Sequence, residues 1–303
     1  MGKHAYLVMA HQDWSLLSRL LQCIDDSRNA VFVHVDRKAS FPYQEIYRPE
    51  KASCTYIPRR MVSWGGFSVV DAELALLEAA AAQGYDYYHL ISGQDLPLKS
   101  QDEIHAFFDG QDTGNSYVGF SPEDDYDRTA AERLGQFHFL QEIIGRDADS
   151  GAGFLFRAER LSLKIQRKLK VDRVAGIPFS SYKGSNWFSI NHELAQYVLS
   201  RKKDIRNYFR YSSCSDELFL QSIVQDSPFR DKVVPDMLRE IDWKRGRPYT
   251  YRKEDFPLLT ESDRLFARKF STEIDPVIID MICARVGAPD PVQSDPENRE
   301  DRS

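Results

Sequence analysis

Short apolar runs alternate with segments of helical period through the first 120 residues, and few folds accommodate that order. "AYLVMA" reads as a first strand, and "DWSLLSRLLQCI" as a helix with Asp13 at its cap and leucines at helical spacing. "AVFVHVD" is a second strand ending at Asp36, and "TYI" is a short third. After "SWGG", the segment 68–83 is rich in Ala, Leu and Glu and predicts a long helix, capped by Ser68 and closed near Gly84. "YYHLISG" is another strand, "QDLPLKS" a turn in which Pro97 bars a central strand, and "SYVGF" a further strand. Strands joined through helices pair in parallel, so the pattern predicts an α/β domain with a largely parallel central sheet.

The second half is less regular. "FLFRAERLSLKIQRKLK" is a helical stretch carrying Arg157, Arg160, Lys164, Arg167, Lys168 and Lys170 around Leu161, Leu163, Ile165 and Leu169. It is either a solvated helix face or a contact for an anionic membrane surface. "NWFSI" is a strand feeding a helix that begins at Asn191, and "SDELFLQSIV" is a short helix capped by Ser215. From Ala288 onward the chain is charged and contains proline, with no apolar residue after Val292. The expectation is one folded domain over residues 1–287 and a disordered tail over 288–303.

Composition narrows the function. Lys and Arg total 40 against 46 Asp and Glu, for a formal net charge of -6, which is not the balance of a nucleic-acid binder. Cys23, Cys54, Cys214 and Cys283 are scattered without a CxxC pair and read as reduced thiols rather than a disulfide framework or zinc site. The first apolar run is too short for a signal peptide or membrane anchor, so a cytoplasmic location is the expectation.

Ligands of open α/β sheets sit beyond the carboxyl ends of the strands. Those ends offer His11 and Asp13, Asp36 with Arg37 and Lys38, and Gln94 with Asp95. Asp36 can accept hydrogen bonds from a uracil or ribose, or cap the next turn. Trp64 of "SWGGFS" can fill the core or line a pocket. Asp216 and Glu217 suit the first turn of a helix electrostatically, and either can equally be a general base facing a cleft. Two Asp-x-Asp triplets, Asp125 with Asp127 and Asp147 with Asp149, are of a type that can hold a divalent ion against a diphosphate. In "LFARKF", Arg268 and Lys269 stand side by side among apolar residues. They either lay their stems on the surface or point at a bound anion.

Seven of these segments keep a common order: "YLVMAH", "VFVHVDRKAS", "SWGGFSVVDA", "YYHLISGQDLPLKS", "KGSNWFSI", "SDELFLQSIV" and "LFARKF". Together, over roughly residues 5–285, the chain resembles the core-2/I-branching N-acetylglucosaminyltransferases and the peptide O-xylosyltransferases, which form one glycosyltransferase family. The resemblance implies a GT-A-like (Rossmann-like) fold and inverting transfer from a UDP-sugar, without divalent metal or further cofactor. It implies that Arg268 and Lys269 hold the diphosphate, with Arg252 as a second phosphate ligand. Asp36 would contact the uracil, Glu217 would be the catalytic base, Trp64 would border the donor and Trp243 would pack on the acceptor sugar.

The family's animal members carry a membrane anchor and several disulfides, whereas this chain starts almost at its first strand and has four isolated cysteines. The resemblance therefore implies a bacterial, intracellular relative using N-acetylglucosamine or xylose. Its acceptor would be a capsular, exopolysaccharide or lipid-linked glycan, reached at the inner face of the membrane. Two alternatives remain open here. One is a glycoside hydrolase, which needs two carboxylates facing each other across a sugar; the other is a non-catalytic UDP-sugar-binding protein.

Overall fold

The computed structural model describes residues 2–110, 114–122, 133–145, 153–246 and 248–289. Its first part runs β1 (His4–Ala10), α1 (Trp14–Cys23), β2 (Asn29–Val35), β3 (Ser53–Tyr56), α2 (Phe67–Ala81), β4 (Tyr87–Ser92), β5 (Asp95–Pro97), α3 (Gln101–Asp109) and β6 (Ser116–Phe120). There follow α4 (Gln141–Ile144), α5 (Gly153–Lys168), β7 (Gly184–Asn191), α6 (His192–Ser200), α7 (Lys202–Phe209) and α8 (Phe219–Gln225). The last part holds β8 (Val233–Val234), β9 (Arg239–Ile241), α9 (Phe256–Glu261), β10 (Phe266–Arg268) and α10 (Pro276–Arg285). Both Asp-x-Asp triplets, and the tail beyond Pro289, lie outside the described residues.

The central sheet has strand order β3-β2-β1-β4-β7-β6-β8, in which β7 runs antiparallel to both of its neighbours. The other strands run one way, giving an α/β arrangement with a mostly parallel central sheet. Alternation along each buried strand divides the core into two layers. Tyr6, Val8, Val31, Val33 and Ile91 pack under α1, α3 and α10. Leu7, Phe32, Tyr88 and Leu90 pack under α2 and α6 on the opposite face.

Local expectations hold at several points and fail at three. Asp13 caps α1 by accepting from Leu16 N, and Asn191 caps α6 by accepting from Leu194 N. "QDLPLKS" is more than a turn, since Asp95–Pro97 forms an edge strand of a second sheet, β5-β10-β9, where Pro97 is tolerated. Ser68 lies inside α2 rather than at its cap, which is Gly66. Cap duty passes to a distant carboxylate: Glu142 accepts from Ser68 N at 2.8 Å and from Ser68 Oγ at 2.7 Å. Ser215 does not cap a helix either, because residues 215–217 form a separate 3₁₀ turn ahead of α8 and the Ser215 hydroxyl is buried without a hydrogen bond.

The four cysteines are free, but two of them touch, with Cys23 Sγ 3.2 Å from Cys283 Sγ between α1 and α10. Among the described residues, no helix is long and apolar enough to cross a membrane.

Candidate active site

The carboxyl ends of β1, β2 and β4 release His11, Asp36 and Asp95 onto one edge of the sheet. Asp36 N donates to Ala10 O at 2.9 Å, which ties the exit of β2 to the end of β1. The Asp36 carboxylate accepts from Lys38 N at 2.9 Å, so the turn-capping role is realised, while its second oxygen lies 3.7 Å from Lys38 Nζ. His11 registers the whole cluster. Burial holds its pKa below the ordinary value, and Lys269, Arg268 and Lys38 push the same way against Asp36.

Arg268 is built into this edge. In the β5–β10 ladder it stands opposite Asp95, and its Nη1 donates to Asp95 Oδ1 at 2.7 Å. Asp95 is buried and also accepts from Ser92 N at 2.9 Å, and the guanidinium lies 4.6 Å over the Trp187 ring. The backbone around Lys269 is pinned on both sides. Its carbonyl accepts from Tyr251 N at 2.9 Å, and Phe270 N donates to Gln94 O at 3.0 Å. Tyr251 is buried, so the next residue, Arg252, emerges exposed beside the cationic pair.

Trp243 follows closely on β9, whose Ile241 pairs with Arg268, and it is solvent-exposed. Its loop is closed by Asp242, which accepts from Lys244 N at 2.7 Å and from Arg245 Nε at 2.5 Å.

Glu217 sits on the second wall, in the 3₁₀ turn, where its Oε2 accepts from Arg133 Nη1 at 2.5 Å. The glycines of "SWGG" explain how this wall is assembled. Cys214 N donates to Gly65 O at 2.8 Å, and Gly65 has φ +70°, a conformation that suits glycine. A Cβ at Gly66 would lie 2.7 Å from the Glu142 carboxylate, so the second glycine admits the residue that caps α2. Trp64, which precedes them, is exposed rather than a core filler.

Next to Glu217 in the chain is a second carboxyl, Asp216, half-buried and in electrostatic contact with the buried Glu73. Burial pushes Asp216 up to about 7, reinforced by the Glu217 charge. Burial also raises Glu73, on α2, well above the usual carboxylate range, and Asp216 adds to that rise. Oδ1 of Asp216 is buried without a hydrogen-bond partner, and the Asn186 side chain beside the buried Glu73 carboxylate offsets only part of its rise.

The two walls share β7: Trp187 underlies Arg268, and the strand packs against the Glu217 turn. Where β7 parts from β4, the buried Arg239 fills the gap, donating to Leu90 O at 3.0 Å, Phe188 O at 2.9 Å and Ser189 Oγ at 3.0 Å.

Thus Asp36, Arg268 and Lys269 meet around His11, Arg252 and Trp243 flank them along the backbone, and Glu217 lies in a separate turn that is bonded to the loop of Trp64. Sequence reasoning missed Arg133, Trp187, Glu142, Glu73 and Arg239. Trp187 stood inside the quoted "NWFSI", while the others have no local pattern to betray them.

These features define a class first: a Rossmann-like α/β protein with a charged site beyond the strand carboxyl ends. The family follows from comparison. Residues 4–263 match the model of the Core-2/I-Branching enzyme, and the chain belongs to that glycosyltransferase family. It is similar to xylosyltransferase 2 of Rattus norvegicus, at 22% identity over 92% of this chain and 33% of the relative. It is likewise similar to xylosyltransferase 1 of Homo sapiens, at 23% identity over 91% of this chain and 29% of the relative. The chain therefore spans about a third of the length of the curated relatives it matches. A solved structure, titled "Crystal structure of S. aureus TarS 1-349", aligns with TM-score 0.35 and 13% identity, covering 73% of this chain and 55% of that one.

Proposed function

We propose that this chain is an inverting, metal-independent glycosyltransferase that moves N-acetylglucosamine or xylose from a UDP-sugar to a hydroxyl of a glycan acceptor. The observation that carries the reading is the convergence of Arg268, Lys269, Lys38 and Asp36 on His11 at the sheet edge. A diphosphate needs several positive charges and oriented donors, and Arg268 is already oriented by Asp95. In this reading these cations, with Arg252, take the charge that a divalent ion would otherwise take, and no cofactor beyond the donor is required. Asp36 receives the uracil, while Trp64 and Trp243 offer exposed aromatic faces to donor and acceptor sugars.

The chemistry is one displacement. Arg133 holds Oε2 of Glu217, leaving Oε1 to accept the proton of the acceptor hydroxyl. The acceptor oxygen bonds to the anomeric carbon of an α-linked donor from the face opposite UDP. The bond to the diphosphate oxygen breaks, UDP leaves with the electron pair, and the product is β-linked. The setting we infer is cytoplasmic synthesis of a bacterial capsule, exopolysaccharide or other surface glycan. The hydrolase alternative needs two carboxylates across a cleft, whereas Glu73, the carboxyl behind Asp216, is buried and Glu217 is tied to Arg133.

The test is thermal stability in EDTA with UDP, UDP-N-acetylglucosamine, UDP-xylose and GDP-mannose, followed by transfer assays on glycan acceptors. A ligand at a hundred times its Kd stabilises the fold by about 2.7 kcal/mol, so a shift with uridine compounds is expected, and Lys269→Ala should reduce it. No shift with any uridine compound, or strict dependence on Mn²⁺, would overturn the reading. Uridine binding without transfer to any acceptor would favour the non-catalytic alternative.

A further inference from the structure

Helix α5 is mounted with its polar row inward. Glu159 and Gln166, seven residues apart and therefore on one face, are its buried residues. They serve the preceding loop: Gln166 accepts from Phe137 N at 2.7 Å and donates to Phe137 O at 2.9 Å, and Glu159 accepts from Leu140 N at 3.2 Å. Leu155 and Leu163, half-buried, flank this row.

The apolar row at positions i, i+7 and i+11 faces water instead, with Phe154 80% exposed, Leu161 58% and Ile165 49%. Leu169, just past the helix end, is 71% exposed. A surface helix ordinarily does the reverse. A contiguous apolar stripe left in solvent marks a surface that something covers.

The charges beside the stripe say what. Arg157, Arg160, Lys164, Arg167 and Lys168 are all exposed and run alongside it on the solvent side. A second copy seated on this face by a twofold axis would set cations against cations. An anionic bilayer surface satisfies both rows at once, taking the apolar side chains at the acyl boundary and the cations at the headgroups. We propose that α5 is a membrane-surface helix, lying in the interface of an anionic lipid bilayer. The inference is independent of the donor chemistry, because lipid binding is measured without nucleotide.

Co-sedimentation with vesicles of phosphatidylcholine and phosphatidylglycerol (about 7:3) tests it, using pure phosphatidylcholine as reference. The expected result is roughly tenfold more protein pelleted on the anionic vesicles, falling in about 0.5 M salt as the headgroup attraction is screened. The double variant Leu161→Glu with Ile165→Glu should abolish pelleting with an unchanged circular dichroism spectrum. Phe154→Ser, at the most exposed position, serves if that variant does not fold, and should weaken binding severalfold. Equal pelleting on both vesicle types, no pelleting on anionic vesicles, or unchanged pelleting of the variants would overturn the proposal. So would a wild-type dimer in light scattering that these variants convert to monomer, since the face would then belong to a second copy.

Discussion

Asp95 and Arg268 stand opposite one another in the β5–β10 ladder and join at 2.7 Å, with Asp95 buried and Arg268 largely withdrawn from water. The pair closes the small sheet onto the central one and turns the guanidinium over Trp187. Its near-neutral sum also means that, in the proposed reading, Arg268 would offer a nucleotide directed donors more than net charge, which Lys269, Arg252 and Lys38 would supply. Asp95→Asn keeps the shape and removes the charge, leaving Arg268 in a confined place without its counterion. Urea unfolding should show a loss of about 2–4 kcal/mol, somewhat below a fully buried pair because Arg268 keeps some water contact. An unchanged midpoint would mean that the pair adds nothing to the fold.

Asp216 and Glu73 make stability depend on pH in an unusual direction. A carboxyl raised to about 7 in the folded state is protonated there while the unfolded chain has already released its proton. Stability from this site is therefore fully present below about pH 4 and is lost as pH rises through 7. Histidines held neutral by burial, such as His34 at about 4, act oppositely by penalising acid, so the wild-type profile alone mixes the two. Subtracting it from Asp216→Asn isolates the carboxyl. The variant should gain on the wild type between pH 5 and 8, up to the ~4 kcal/mol that three pKa units represent. A difference in melting temperature that stays flat across this range would show that Asp216 ionises normally.

Glu142 and Gly66 form one unit at the start of α2. A methyl group on residue 66 would push the Glu142 carboxylate from its place 2.7 Å away, and with it the bonds to Ser68 N and Oγ. Gly66 has φ -85°, so alanine is not strained by the backbone itself, and the cost is that of a lost cap. Gly66→Ala and Glu142→Ala should each destabilise by about 1–2 kcal/mol. Because both remove the same interaction, the double variant should cost little more than either alone. Fully additive losses would separate the two residues.

Legibility in the sequence follows interaction range. β1, β2 and β4 announce themselves because each is buried on both faces, and Asp13 and Asn191 because a cap acts within three residues. The site residues adjoining these strands, Asp36 and Asp95, inherit that legibility. Arg268 and Lys269 were visible as two cations in an apolar run, but the Asp95 that faces Arg268 is 173 positions away. Ser68 and Ser215 misled for the same reason. Each has the local signature of a cap, yet tertiary contacts gave the α2 cap to Glu142 and turned residues 215–217 into a 3₁₀ turn against α2 and β7. The small sheet escaped notice because its strands of three residues carry no periodicity. The amphipathic period of α5 was plain, whereas its orientation depends on which row the 137–140 loop engages.

Glu217 and Arg133 supply the sharpest test of the catalytic reading. Arg133 fixes one carboxylate oxygen at 2.5 Å, which orients the other toward the acceptor in this reading. Glu217→Gln preserves the shape and can still accept a hydrogen bond from Arg133, yet it cannot serve as a base at neutral pH. Transfer should fall at least a hundredfold, in line with the usual contribution of a positioned base, while UDP affinity by calorimetry stays within about twofold. Arg133→Lys should leave transfer measurable but raise the acceptor KM, since the carboxylate is then held by a single flexible contact. If Glu217→Gln instead loses UDP affinity in step with turnover, the carboxylate supports the fold of the 3₁₀ turn and the base lies elsewhere.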